Sequence, residues 1–217
     1  MAKNHKNELW ELVHAERATL ADELELLTPE QWHHASLCGE WNVEQVVAHL
    51  TAAASIGQWQ WIRSMLGARF RPDVHNLRRL NEHLGTTPNQ TLENFRQVVS
   101  STVAPTSDIP AYLGEVVVHA QDIRRPLGLG YRPGPEMLTP VAEFFASRDF
   151  AVPSKSNAAG LQMTADDGPF HSGEGAPVSG PTLALVMVMA GRGSYLEELH
   201  GPGVKILGER LGRTPAR

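Results

Sequence analysis

Leu113-Gly114-Glu115-Val116-Val117-Val118-His119-Ala120-Gln121-Asp122-Ile123-Arg124-Arg125-Pro126-Leu127-Gly128 is the stretch that decides the fold. Written as a helix, it sets Glu115, His119 and Asp122 at i, i+4 and i+7, one above another on a single face. Leu113, Val116, Val117, Ala120 and Ile123 adjoin that line, so its polar groups point toward an apolar interior. A buried carboxylate and imidazole are costly unless paired. A divalent metal ion would pair them, with His49 of an earlier helix as third ligand. The alternatives are a surface Glu-x-x-x-His ion pair and a core histidine satisfied by its neighbours.

Working outward, the preceding chain reads as helices. Residues 5–27 carry Leu9, Leu12, Val13, Leu20, Leu24 and Leu27 at helical spacing. Thr28-Pro29-Glu30-Gln31 has the form of a capping box with proline in the first turn. After the turn Leu37–Trp41, Asn42 caps a helix reaching to about Leu66, with Val43, Val46, Val47, Leu50 and His49 on it. A polar stretch follows, with a helix near Asp73–His83, and another helix spans Gln90–Val103. The deciding helix stops at Pro126 and Gly128, and one more runs over Glu136–Ser147.

From Asp149 the character changes. Leu161–Ala165 alternates like a strand, Asp166–Pro169 is a turn and Gly173–Pro181 is rich in glycine and proline. Thr182–Ala190 is an apolar helix ended by Gly191, followed by short helical pieces at Tyr195–Leu199 and Val204–Leu211. The expectation is a mainly α protein: a helical bundle over 1–150 and a small α/β domain over 151–217.

Composition narrows the function. A net charge of −5 argues against gripping nucleic acid through a basic surface. The longest apolar run, Leu183–Ala190, is far below the roughly 20 residues of a membrane span. One cysteine, Cys38, with no signal-peptide pattern at the start, suggests a cytoplasmic protein. Cys38 has no His or Lys near it in sequence and reads as a small buried thiol. All five tryptophans lie in the first 61 residues, which assigns the bulky aromatic packing to that end.

Two imidazoles and one carboxylate suit zinc, with positions left open to water or substrate; nickel and iron also accept such a set. Asp122 then orients a ligand or pairs with Arg124 or Arg125. Those two arginines either hold an acidic substrate or cap the helix C-terminus. His33, His34, His75 and His83 read as surface residues.

Trp32, Ser36–Val43, Val46–Leu50 and the block Gly114–Gly128 together resemble the mycothiol-dependent maleylpyruvate isomerase family, within the DinB/YfiT-like metalloproteins. Gly191-Arg192 and Leu199–Val204 resemble its sterol-carrier-like tail. The resemblance implies a DinB-like four-helix bundle with zinc held at His49, Glu115 and His119. It also implies mycothiol as thiol cosubstrate and a zinc-dependent isomerase or S-transferase acting on a small electrophile. Many relatives carry aspartate where this chain has Glu115, and Phe170-His171 stands where relatives often have tryptophan. The alternative is a non-catalytic module of the same fold that binds a ligand or protein. The short C-terminal helices would offer a face for a homodimer.

Overall fold

The structure, a computed structural model, describes residues 2–39, 41–59 and 72–213. Contacts divide the chain into two compact units, Met1–Gly130 and Tyr131–Arg217.

In the first unit, α1 (Ala2–Glu25) packs on α5 (Pro88–Arg96) and α6 (Ile109–Leu127). Beside them α3 (Val43–Ser55) packs on α4 (Pro72–His83), α5 and α6, and the single turn α2 (Pro29–Trp32) leans on α3. The core is where the helical stripes meet: Val13, Leu20 and Leu24 of α1, Val43, Val46, Val47 and Leu50 of α3, Phe95 of α5, and Leu113, Val116, Val117 and Ile123 of α6.

Local chemistry fixes where these helices begin. The Asn42 side chain accepts from Gln45 N at 2.9 Å while Gln45 Oε1 accepts from Asn42 N at 3.0 Å. Two amide groups that the helix start would leave unpaired are thereby satisfied. Thr28 and Gln31 do the same for α2, setting Trp32 into the core.

The end of α6 lies at Pro126 and Gly128 as expected. The helix takes the proline into its last turn. Proline lacks the N–H that would bond the carbonyl four residues back, which is that of Asp122. An outside donor, Leu37 N, takes this carbonyl at 3.0 Å. The proline therefore opens a docking point for the Ser36–Trp41 loop instead of breaking the helix. Gly128 then closes α6 in the left-handed conformation (φ 68°). Gly128 N bonds Arg125 O at 3.2 Å and Leu129 N bonds Arg124 O at 3.0 Å, a Schellman ending.

Other boundaries moved. The helix expected to reach Leu66 ends at Ser55, with Ile56 extended (φ −112°, ψ 119°); residues 60–66 lie outside the described residues. The helix expected over Gln90–Val103 begins earlier, behind the Thr87 cap, and gives way to turns after Arg96. Trp10 and Trp32 are buried, but Trp59 is 80% exposed, so the tryptophans do not all serve the core. Trp61 lies outside the described residues.

The second unit starts earlier than residue 150. Helix α7 (Pro135–Ser147) belongs to it, burying Met137, Leu138, Val141, Phe144 and Phe145 and packing on α9 (Thr182–Met189). Sequence shows that a helix has an apolar stripe but not which neighbour covers it. All of α9 is buried, as an all-apolar helix must be, and Asp167 Oδ1 accepts from Thr182 N at 2.8 Å to cap its start.

Three strands complete the unit: β1 (Leu161–Ala165), β2 (His171–Ser172) and β3 (Ala176–Gly180), in the order β2-β1-β3. β1 runs antiparallel to β2 and parallel to β3, with Leu161 opposite Ala176 and Ala165 opposite Gly180. The glycine- and proline-rich stretch Gly173–Pro181 thus contains strand β3. Its Pro177 is tolerated because β3 is an edge strand. A short helix α8 (Ser154–Ala158), a 3-10 turn (Gly193–Glu198) and α10 (Gly203–Arg213) finish the unit.

Candidate metal centre

Two helices build the centre. α3 carries His49 among its buried valines, and α6 presents Glu115 and His119 one turn apart. Glu115 Oε1 lies 2.9 Å from His49 Nε2 and 3.7 Å from His119 Nε2. The donor atoms of His49, Glu115 and His119 all fall within 4.8 Å of one another. The two imidazole rings meet edge to face, 4.9 Å between centroids, and the Trp41 ring flanks His49 at 5.0 Å.

Burial is uneven. The His49 and His119 side chains are 10% and 11% exposed, while Glu115 is 28% exposed, so the carboxylate marks the open side. Asp122 is fully buried beneath, its Oδ2 3.0 Å from His119 Nδ1. With Nδ1–H donating to the carboxylate, the Nε2 lone pair faces the other donors.

Residues 13–69 match the family model described as "Mycothiol maleylpyruvate isomerase N-terminal domain". The sequence likeness to that domain is confined to this segment. The crystal structure of the mycothiol-dependent maleylpyruvate isomerase shares the fold, with TM-score 0.59 and 16% identity over 90% of this chain and 92% of that one. A histidine-to-alanine mutant of the same isomerase matches with the same figures. No curated sequence matches the chain significantly. The mycothiol maleylpyruvate isomerase match covers Cys38, Trp41 and His49; Glu115 and His119 lie beyond it and join the site through the fold.

Electrostatics fit a cation-binding cluster. Burial alone would raise the Glu115 carboxyl, but hydrogen bonds and charge from His119 and His49 hold it well below the usual range. Burial alone would lower the His119 imidazole, but Cys38, Asp122 and Glu115 hold it well above its usual value. The carboxylate is thus ready to coordinate, and the imidazole must give up a proton to do so. Two imidazoles and one carboxylate, with one side open, fit a catalytic divalent cation.

Arg124 is engaged inside the helical bundle. It is completely buried, its Nε donating to Glu23 at 2.7 Å and its Nη1 to Glu16, so it ties α6 to α1. Charge near a helix end cannot reveal that two acids on a distant helix have claimed it. Arg125, one residue on, is half-buried. Of the remaining histidines, His33 and His34 are exposed, and His83 is half-buried with its pKa lowered by burial and by Arg79. The side chain of His75 lies outside the described residues.

Two site residues escaped the sequence reading. Trp41 packs on His49, and Cys38, expected as an inert core thiol, is half-buried with its sulfur beside His119 and Asp122. The one hint in the sequence was Pro126, whose missing N–H frees the Asp122 carbonyl; it does not say which loop will use it.

Proposed function

We propose that this protein is a metal-dependent, thiol-using isomerase or S-transferase acting on a small electrophile. The observation that carries the reading is the convergence of His49, Glu115 and His119 donor atoms within 4.8 Å, from two helices, with one side open. Zinc is the cation of choice, with nickel or iron also accommodated. When bound, such a cation lowers the pKa of a coordinated thiol until it is a thiolate at neutral pH.

The chain's own residues supply the rest. Asp122 holds the Nδ1–H of His119 and so aims its Nε2. Trp41 walls the site beside His49 and keeps water from that flank. Arg125 is assigned to acidic groups of the substrate or thiol. The thiol, of the mycothiol type by likeness to the family, adds its sulfur to an activated double bond and the added proton ends on carbon. Rotation about the resulting single bond and expulsion of the thiol give the isomer; retention of the carbon–sulfur bond gives the thioether. A cytoplasmic location and a homodimer belong to the same proposal.

The test pairs two measurements on the full chain. Elemental analysis should find about one zinc per chain in the wild type and a loss of most of it in His49→Ala. Incubation with mycothiol and maleylpyruvate should then show turnover that follows metal content. Metal retained without thiol-dependent turnover across a panel of small electrophiles would favour the non-catalytic binding module. A wild type that binds no divalent cation would remove the proposal.

A further inference from the structure

The site contains a second set of donors. Cys38 Sγ, a nitrogen of His119 and a carboxylate oxygen of Asp122 all lie within 4.8 Å of one another. A cation bound at ordinary zinc-site lengths holds its donors roughly 3.5 Å apart, so closure needs side-chain movement of about 1 Å. Asp122 is fully buried and His119 nearly so, while Cys38 lies on the half-exposed rim.

The sulfur is held there by backbone. Leu37 N donates to the Asp122 carbonyl at 3.0 Å, the acceptor that Pro126 leaves open. Ser36 Oγ accepts from Cys38 N at 3.0 Å and donates to Trp41 O at 2.7 Å. The residue before Cys38 is thus fixed to the helix turn that carries Asp122.

We propose that Cys38, His119 and Asp122 form a second, thiolate-containing cation set for thiophilic ions of the cadmium class, and that it competes with the His49–Glu115–His119 set for one imidazole. Thiolate ligands select soft cations over those that prefer oxygen. Competition follows from the ring. A neutral imidazole offers one lone pair, and its other nitrogen carries a proton. In the first set the lone pair is on Nε2, facing Glu115 Oε1 3.7 Å away, and Nδ1–H donates to Asp122. In the second set Nδ1, 3.0 Å from Asp122, carries the lone pair and Nε2–H turns to Glu115. One ring selects between two sites by its tautomer. The competition rests on the proposed function insofar as the first set binds a cation; the sulfur set stands without it.

The experiment uses metal-free full-length protein, with Cd2+ and Co2+ as probes. Cd2+ should raise the ultraviolet sulfur-to-cadmium absorption to one equivalent in the wild type and in His49→Ala. The band should vanish in Cys38→Ser and in Cys38→Ala. Added to the Co2+-loaded wild type, Cd2+ should abolish the visible Co2+ absorption in step with growth of the sulfur band. In the unmutated protein, Cd2+ should also slow alkylation of Cys38 by iodoacetamide at least tenfold. No sulfur band in the wild type, or unchanged alkylation, overturns the second set. Loss of the band in His49→Ala also overturns it, since the sulfur would then be an extra ligand of the first ion. A Co2+ spectrum that persists while the sulfur band grows overturns the competition. A full sulfur band in a protein that never binds Co2+ would overturn the competition and count against the proposed function, while upholding the sulfur set.

Discussion

Replacing Arg124 by methionine tests whether this arginine is a structural tie rather than a substrate ligand. Methionine keeps much of the side-chain volume, so charge loss dominates over cavity formation. Arg124 and Glu16 are both 0% exposed, and Glu23 shares the guanidinium. Removing one partner of a buried pair leaves the other charge uncompensated, at about 3–5 kcal/mol. For a chain of this size that lowers the melting temperature by roughly 6–20 °C. The loss carries a pH signature. Burial already raises the Glu16 carboxyl above its usual value despite the lowering charge and hydrogen bond of Arg124. Without Arg124 its folded pKa rises further above the unfolded value. A carboxyl raised in this way destabilises the fold above its folded pKa, and that penalty disappears as pH falls toward the unfolded value of 4.5. Urea unfolding followed by circular dichroism, at several pH values between 4.5 and 8, reads both effects. A loss below 1 kcal/mol at pH 8, or one that does not shrink in acid, would refute the argument. A normal melting curve with a raised KM would return Arg124 to the substrate.

Four further outcomes are expected. Asp122→Asn should weaken metal binding 10–100-fold, measured by competition with a chromogenic chelator, because the carboxylate that orients His119 is lost. Metal affinity should rise with pH through the elevated pKa of His119, since the imidazolium must lose its proton to coordinate; calorimetry in buffers of different ionisation enthalpy should detect the released proton. In the metal-free protein the ion cluster stabilises with the opposite trend. The raised His119 contributes fully below about pH 6.5 and fades as pH rises through its folded value. The depressed Glu115 contributes above about pH 4.5 and fades as pH falls through its own. Metal-free stability from this cluster therefore peaks between those values. Finally, Gly173→Ala should destabilise the C-terminal unit by at least about 1 kcal/mol, because Gly173 sits at φ +77° and an added Cβ would lie 2.2 Å from Leu161 O; unchanged protease resistance of that unit would contradict it.

Sequence alone determined what is local. The capping boxes at Thr28 and Asn42, the apolar stripes of α1, α3 and α6, and the i, i+4 spacing of Glu115 and His119 are properties of consecutive residues. Their physics acts within one or two turns, so they can be read without the fold. The pattern around His49 and His119 likewise carried the family resemblance. Tertiary structure decided what depends on residues far apart in the chain. It placed His49 against Glu115 and gave Arg124 to Glu16 and Glu23. It assigned helix α7 to the second unit and set β3, within the glycine-rich stretch, beside β1. Pro126 shows the division: the chain shows a missing hydrogen, and the fold chooses the loop, with Cys38 in it, that uses the carbonyl left open. Hydrogen bonding and charge pairing act over a few ångströms, and nothing in a linear order says which distant groups will come that close.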